Sequence, residues 1–226
     1  MKPVALAKSE LILGGQKSGK SRRAEVLART WLEQSVHHRA VLIATAQAWD
    51  DEMRARIARH QADRAARVPG MVTVEEPLAL AQAIAQHSTP QTLLVVDCLT
   101  LWLTNLRMPM HEEGAQRPGG WAAECFAPCP PPALRAPPCT EQNTQPPSLL
   151  ALVDTQHVAP LLIAIQQAPG PVVLVGNEIG LGVIPLGREV RAFVDALGRL
   201  NQDVAAVCQR VTLMAAGLPL YLKDIP

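Results

Sequence analysis

The chain has 226 residues, of which 48% are hydrophobic and only 3% aromatic, and it carries a formal net charge of +1. That length allows one large α/β domain or two small ones, with a core that must be built from Leu, Val, Ile and Ala. A charge so near zero argues against a nucleic-acid or anionic-membrane surface as the main business, and the lack of eighteen consecutive apolar residues argues against a membrane span.

The opening MKPVALAKSELILGG leads straight into an apolar run and leaves too little room for a secretory leader. Cysteines number five, an odd count. Cys98 and Cys208 stand in apolar surroundings and read as small buried hydrophobes, so a cytoplasmic protein with reduced thiols is the expectation.

Leu11-Ile12-Leu13 has the character of a buried parallel strand. It is followed by Gly14-Gly15-Gln16-Lys17-Ser18-Gly19-Lys20-Ser21 and then by an Ala- and Arg-rich stretch with helical spacing, to about Gln34. This is the G-x-x-x-x-G-K-[ST] phosphate loop with a strand before it and a helix after it, the context the motif requires. Gly14 and Gly19 permit backbone angles a side chain would forbid, so successive N–H groups can turn inward around a phosphate, and the helix start adds partial positive charge. Lys20 can reach the β- and γ-phosphates, and the Ser21 hydroxyl can hold Mg²⁺. The chain is expected to bind a nucleoside triphosphate.

His37-His38-Arg39 reads as a solvated helix end, and Ala40 to Thr45 as a second buried strand. Asp50, Asp51 and Glu52 suit the start of a helix whose Met53 and Ile57 share one face. On that helix His60 lies one turn from both Arg56 and Arg64. Guanidiniums there would attract phosphate, and a histidine beside them can act as a nucleophile. From spacing alone, a surface histidine on a charged helix is the simpler reading.

Met71 to Glu76 is a short strand ending in two acids, Leu78 to His87 a helix stopped by Pro90, and Thr92 to Asp97 a third buried strand. Asp97, after four apolar residues, occupies the place of the Mg²⁺-coordinating acid of a phosphate-loop fold; the competing role is a cap for the helix from Cys98 to Leu106. Residues 108–147 break the pattern. Pro130-Pro131-Pro132, Pro137-Pro138 and Pro146-Pro147 prevent a helix or central strand, and the segment reads as an irregular surface insertion. Cys125, Cys129 and Cys139, with His111 upstream, match no common zinc spacing and read as free thiols.

Regular structure resumes with a helix from Leu149 to Gln167, broken near Pro160. Then come a buried strand at Val172 to Val175, a glycine-rich loop at Gly176 to Gly182, a helix at Arg188 to Cys208, a strand at Arg210 to Ala215 and a tail at Gly217 to Lys223 able to add an edge strand. The glycine-rich loop lacks a following Lys; it is either a flexible turn or a second substrate-facing loop. Strands alternating with helices imply one α/β domain over residues 1–226, a doubly wound, mostly parallel sheet of the P-loop NTPase kind carrying the proline-rich insertion.

Taken together, GGQKSGKSRRAE, IATAQAWDDEMRARIARH, TVEEP, VVDCLTLWLTNL, VGNEIGLGVIPLGREVRAFVDALGRLNQ and AGLPLYLK resemble the bifunctional adenosylcobinamide kinase / adenosylcobinamide-phosphate guanylyltransferase family of cobalamin biosynthesis. The resemblance implies two reactions: phosphorylation of adenosylcobinamide by ATP or GTP, then transfer of GMP from GTP through a guanylylated histidine to give adenosylcobinamide-GDP. The family's R-I-x-x-H histidine falls on His60, which the resemblance makes catalytic together with Lys20. It places guanine and phosphate contacts on Gly14, Gly15, Gln16, Lys17, Ser18, Gly19, Lys20 and Ser21, on Ala44, Thr45 and Ala46, on Gln61, Ala62, Asp63 and Arg64, and on Glu75 and Asp97, with Mg²⁺ on Ser21 and Asp97. It also implies a homotrimer, with adenosylcobinamide and its phosphate as partners and no nucleic acid. Two features depart from the family pattern: Met71 stands where a tryptophan is expected, which leaves Arg64 and Arg67 both open for the family arginine, and the insertion replaces a short connection. An alternative reading is a single-activity P-loop small-molecule kinase. A nucleotide-dependent switch is disfavoured, since no N-K-x-D guanine-reading motif follows.

Overall fold

The computed structural model describes residues 6–47, 51–107 and 154–225. The proline-rich segment, with His111, Cys125, Cys129 and Cys139, therefore lies outside the described residues, as does the side chain of Arg56.

Seven strands form a single sheet: β1 (Ser9–Gly14), β2 (Arg39–Ala44), β3 (Met71–Glu75), β4 (Thr92–Asp97), β5 (Val172–Val175), β6 (Arg210–Ala215) and β7 (Leu218–Asp224). Their order is β3-β2-β4-β5-β1-β6-β7. Every pairing is parallel except β6 with β7, which run antiparallel. The tail after Gly217 is thus an edge strand, joined by the two-residue turn that only antiparallel neighbours can use.

Burial on both faces explains the unbroken apolar runs. Leu11 and Leu13 of β1, with Leu94 and Val96 of β4, face one core, whereas Ile12, Leu93 and Val95 face the other, the period-two alternation of a strand. The second core is covered by α1 (Lys20–Gln34), through Ala24, Leu27 and Ala28. The first core lies under α3 (Leu80–His87), α4 (Leu99–Arg107), α5 (Ala159–Gln167) and α6 (Arg188–Val207). Trp102 anchors it at 1% exposure, its indole N–H donating to the Leu78 carbonyl at 2.9 Å. No helix among the described residues is long and apolar enough to cross a membrane.

Two helix boundaries depart from the pattern-based expectation. Before α5 the chain makes one π-helical turn (Asp154–Val158), and Pro160 sits in the first turn of the α-helix. Proline therefore starts this helix, where its missing N–H costs no hydrogen bond, instead of breaking it. The other is α3, which begins two residues later than the hydrophobic pattern suggests. The Glu76 carboxylate accepts the Leu78 and Ala79 N–H groups at 2.9 and 2.7 Å and so ends the preceding turn.

Candidate active site

All the chemistry-bearing residues gather at the carboxyl ends of the parallel strands, where open α/β sheets place their ligands. β1 delivers Gly14, whose φ of +150° turns the chain sharply upward. A Cβ there would lie 2.5 Å from the Met214 carbonyl and 2.7 Å from Ser18 Oγ, so only glycine fits. Lys17 and Gly19 also take left-handed angles, +57° and +100°. Gly19 is the N-cap of α1; no side chain caps that end and no acid occupies its first turn, which leaves the helix N–H groups available to an anion.

Lys20 folds back over this loop, its Nζ donating to the Gly14 and Gly15 carbonyls at 2.9 and 2.6 Å. Burial lowers its pKa, opposed by the charges of Cys98 and Asp97. The ammonium is thus held in readiness inside the loop with a reduced hold on its proton.

Asp97 ends β4 close enough to the Ser21 hydroxyl for that group to stabilise its ionised carboxyl. Burial raises the pKa of its carboxyl, and the charges of Arg64, His60 and Lys20 pull the other way. A hydroxyl and a carboxylate close together at the mouth of a phosphate loop fit Mg²⁺, which takes one or two protein oxygens and completes its shell with phosphates and water. Among the described residues no group of three or more His, Cys, Asp or Glu side chains could hold a metal ion.

A carboxyl raised by burial is destabilising when ionised, so its cost appears as pH rises through the folded-state ionisation and vanishes below the unfolded carboxyl range. Asp97→Asn should raise the melting temperature of the nucleotide-free protein by about 2 °C at pH 8. The gain should disappear at pH 4, while Mg²⁺-dependent turnover is lost. A lower melting temperature at pH 8 would show that the pair with Arg64 outweighs burial.

α2 (Asp51–Arg67) supplies the remaining charged groups. His60 is solvent-exposed on this helix and near enough to Asp97 for its charge to act on that carboxyl. Arg64, one turn on, reaches to 3.9 Å from Asp97 Oδ2 with its side chain only 12% exposed; its Nε is buried without a partner. Arg67 points elsewhere, pairing with Glu25 at 3.2 Å and with Asp63 at 3.4 Å. Of the two arginines left open by sequence, Arg64 is the one brought to the phosphate-loop side. Gln61 and Ala62 are exposed beside His60.

The stretch after β2 has a different character. Thr45 is fully buried, and its hydroxyl donates to the Cys98 carbonyl at 2.7 Å while accepting the Cys98 N–H at 2.9 Å. Its own N–H goes to the Asp97 carbonyl and its carbonyl accepts from Asn105. Thr45 ties the ends of β2 and β4 together and so fixes Asp97. Ala44 and Ala46 flank it half-buried, and Glu75, paired in register with Ala44, ends β3 exposed at the same edge.

The loop after β5 contributes contacts that spacing does not reveal. The Glu178 N–H donates to the Gly14 carbonyl at 3.1 Å, joining the glycine-rich loop to the phosphate loop. Asn201, buried on the apolar face of α6 with Leu197, Leu200 and Val204, donates to the Asn177 carbonyl and to the Glu178 carboxylate at 3.1 and 3.4 Å. Thr100 Oγ1 accepts the Asn177 N–H at 2.9 Å. Besides the glycine-rich loop itself, a polar residue inside an apolar helical stripe, as Asn201 is, is a sequence signal that points here.

The family described as cobinamide kinase / cobinamide phosphate guanyltransferase matches residues 10–222. The chain is 41% identical over 218 residues to the bifunctional adenosylcobalamin biosynthesis protein CobP of Pseudomonas aeruginosa, covering 96% of this chain and 98% of that protein. It is 32% identical over 213 residues to the bifunctional adenosylcobalamin biosynthesis protein CobU of Escherichia coli, covering 94% and 98% respectively. Among solved structures it aligns with the flagellar accessory protein FlaH of Methanocaldococcus jannaschii, at a TM-score of 0.47 and 8% identity over 97% of this chain and 80% of that one. The chain belongs to the cobinamide kinase / cobinamide phosphate guanyltransferase family.

Proposed function

We propose that this single-domain protein phosphorylates the aminopropanol hydroxyl of adenosylcobinamide with ATP or GTP, and then carries GMP from GTP to the product through His60. The observation that carries this reading is the meeting of three groups at one sheet edge: the phosphate loop with Lys20, the neighbouring Ser21 and Asp97, and the exposed His60 imidazole near Asp97.

In the kinase step, Lys20 and the loop N–H groups from Gly14, Gly15, Gln16, Lys17, Ser18 and Gly19 hold the triphosphate, and the acceptor oxygen forms a bond to the terminal phosphorus as the bridging oxygen leaves with its electron pair. In the guanylyl step, a ring nitrogen of His60 attacks the α-phosphorus of GTP, the bond to the β-phosphate oxygen breaks, and pyrophosphate departs. The corrinoid phosphate then attacks the same phosphorus, breaks the P–N bond and frees the imidazole. The phosphoramidate keeps the nucleotide activated between the two halves. Ser21 and Asp97 would hold Mg²⁺, which offsets charge on the phosphates when bound. Ala44, Ala46, Gln61, Ala62, Asp63, Arg64 and Glu75 line the edge on which the nucleoside lies, and Thr45 holds that edge together from beneath. A homotrimer working in the cytoplasm completes the proposal; exposed Leu181, Val183, Ile184 and Leu186, at 80, 96, 77 and 98%, are apolar surface of the kind a subunit contact covers.

Product analysis tests it. Adenosylcobinamide with ATP and Mg²⁺ should yield only the phosphate ester, and with GTP should proceed to the GDP derivative, read by mass spectrometry. Arrest at the phosphate ester in GTP would reduce the protein to a single-activity kinase.

A further inference from the structure

The stretch Ala216 to Lys223 has no task in the reaction so far described, yet it lies against the phosphate loop. It forms the β6–β7 turn and the edge strand. The Gly217 N–H donates to the Ser18 carbonyl at 3.0 Å. A Cβ on Gly19 would come 3.2 Å from Gly217 Cα, and one on Gly14 would come 2.5 Å from the Met214 carbonyl. Gly14 and Gly19 of the phosphate loop therefore both abut this hairpin. Ala216 and Gly217 take left-handed angles of +50° and +79°, which make the turn tight enough to approach.

Hairpin and α1 share a second set of ties. Arg23, one turn into α1, donates Nε to Glu10 Oε1 at 2.7 Å, and the Thr212 hydroxyl donates to the same oxygen at 2.8 Å. Arg210 Nη1 lies 3.7 Å from Glu10 Oε2. Glu10 is only 1% exposed, so its charge is tolerable only because two guanidiniums and a hydroxyl surround it. Both guanidiniums also stack over the Tyr221 ring, 5.3 and 5.4 Å from its centroid. Arg210 is held further by Asp224 at 2.8 Å, and the Lys223 ammonium caps the carboxyl end of α6 through the Ala205 and Ala206 carbonyls, each at 2.9 Å.

We propose that the β6–β7 hairpin is a positioning element for the phosphate loop, with Gly217 and Tyr221 as its positioning residues. In a trans peptide the C=O and the following N–H point in opposite directions. Fixing the Ser18 carbonyl against Gly217 therefore turns the Gly19 N–H the other way, toward the space enclosed by the loop. Tyr221, gripping Arg23 and Arg210, keeps the turn in register with the helix that carries Lys20 and Ser21. The proposal rests on the reading of Gly14 to Ser21 as a triphosphate cradle.

Two variants test it. In Gly217→Ala the new Cβ meets nothing within 4 Å, so the change acts only through the left-handed angle. Tyr221→Leu keeps an apolar strand residue and removes the ring. Calorimetric binding of GTP, inorganic tripolyphosphate and guanosine is compared for each, with Lys20→Ala in parallel. For a positioning role, GTP and tripolyphosphate each weaken by about tenfold, the scale of one misplaced hydrogen bond to charge, while guanosine binding stays unchanged. Unchanged affinity for all three ligands overturns the proposal, and so does a parallel loss of all three, since a purely structural hairpin spares or damages them alike. Retention of tripolyphosphate binding by Lys20→Ala overturns the cradle reading and this proposal together.

Discussion

His60→Ala should retain no label from α-labelled GTP while still phosphorylating adenosylcobinamide. The wild-type protein, incubated with α-labelled GTP and Mg²⁺ and then denatured, should carry label that survives base and is lost in acid, the stability pattern of a P–N bond. The variant lacks the only group proposed to form that bond, and loss of a covalent nucleophile costs at least on the order of a thousandfold in rate. The kinase step uses no bond to the imidazole, so its rate should stay within about tenfold of wild type. A modest change is expected even there, because the His60 charge is one of those acting on Asp97 and its removal alters the balance at the proposed metal position. Full labelling of the variant would remove His60 from the mechanism. Loss of both activities would mean that the ring serves phosphate binding in general.

Lys20→Ala should abolish both reactions, with triphosphate affinity reduced about a hundredfold and each rate by about a thousandfold. The ammonium is folded into the loop itself, hydrogen-bonded to the Gly14 and Gly15 carbonyls. Burial already lowers its pKa, so in the nucleotide-free protein its charge is partly uncompensated until phosphates arrive. Removing it should therefore leave the fold intact, with a melting temperature within about 3 °C of wild type, and take away the attraction for the β- and γ-phosphates. Lys20→Arg should not restore activity, because a planar guanidinium cannot point a compact charge between two carbonyls about 3 Å away. Retained GTP turnover in Lys20→Ala would move the triphosphate away from the loop altogether. Collapse of the melting transition would instead assign the lysine a mainly structural role.

The contrast between Arg64 and Arg67 shows where reading from sequence stops. Both lie on one helix at positions either of which could serve, and spacing offers no way to choose. The two differ in what each meets across space: Arg67 finds Glu25 on α1 and Asp63 on its own helix, while Arg64 faces Asp97 at the end of β4. Thr45 makes the same point from the other side. It stands where the resemblance expects a nucleotide contact, yet its hydroxyl and both backbone groups are engaged in fastening β2 to β4.

The phosphate loop, the alternation of buried strands with helices, and the acid ending the third apolar run were legible in the linear chain, because each depends on neighbours within a turn or a few residues. Hydrophobic period and glycine placement are local properties, and local physics suffices to read them. The proline at the head of α5, the seating of Glu178 on Gly14 and of Gly217 on Ser18, and the selection of Arg64 arose only on folding. The Glu178–Gly14 and Gly217–Ser18 contacts join segments separated by long stretches of sequence, and they exist because sheet order sets β5 and β6 on either side of β1.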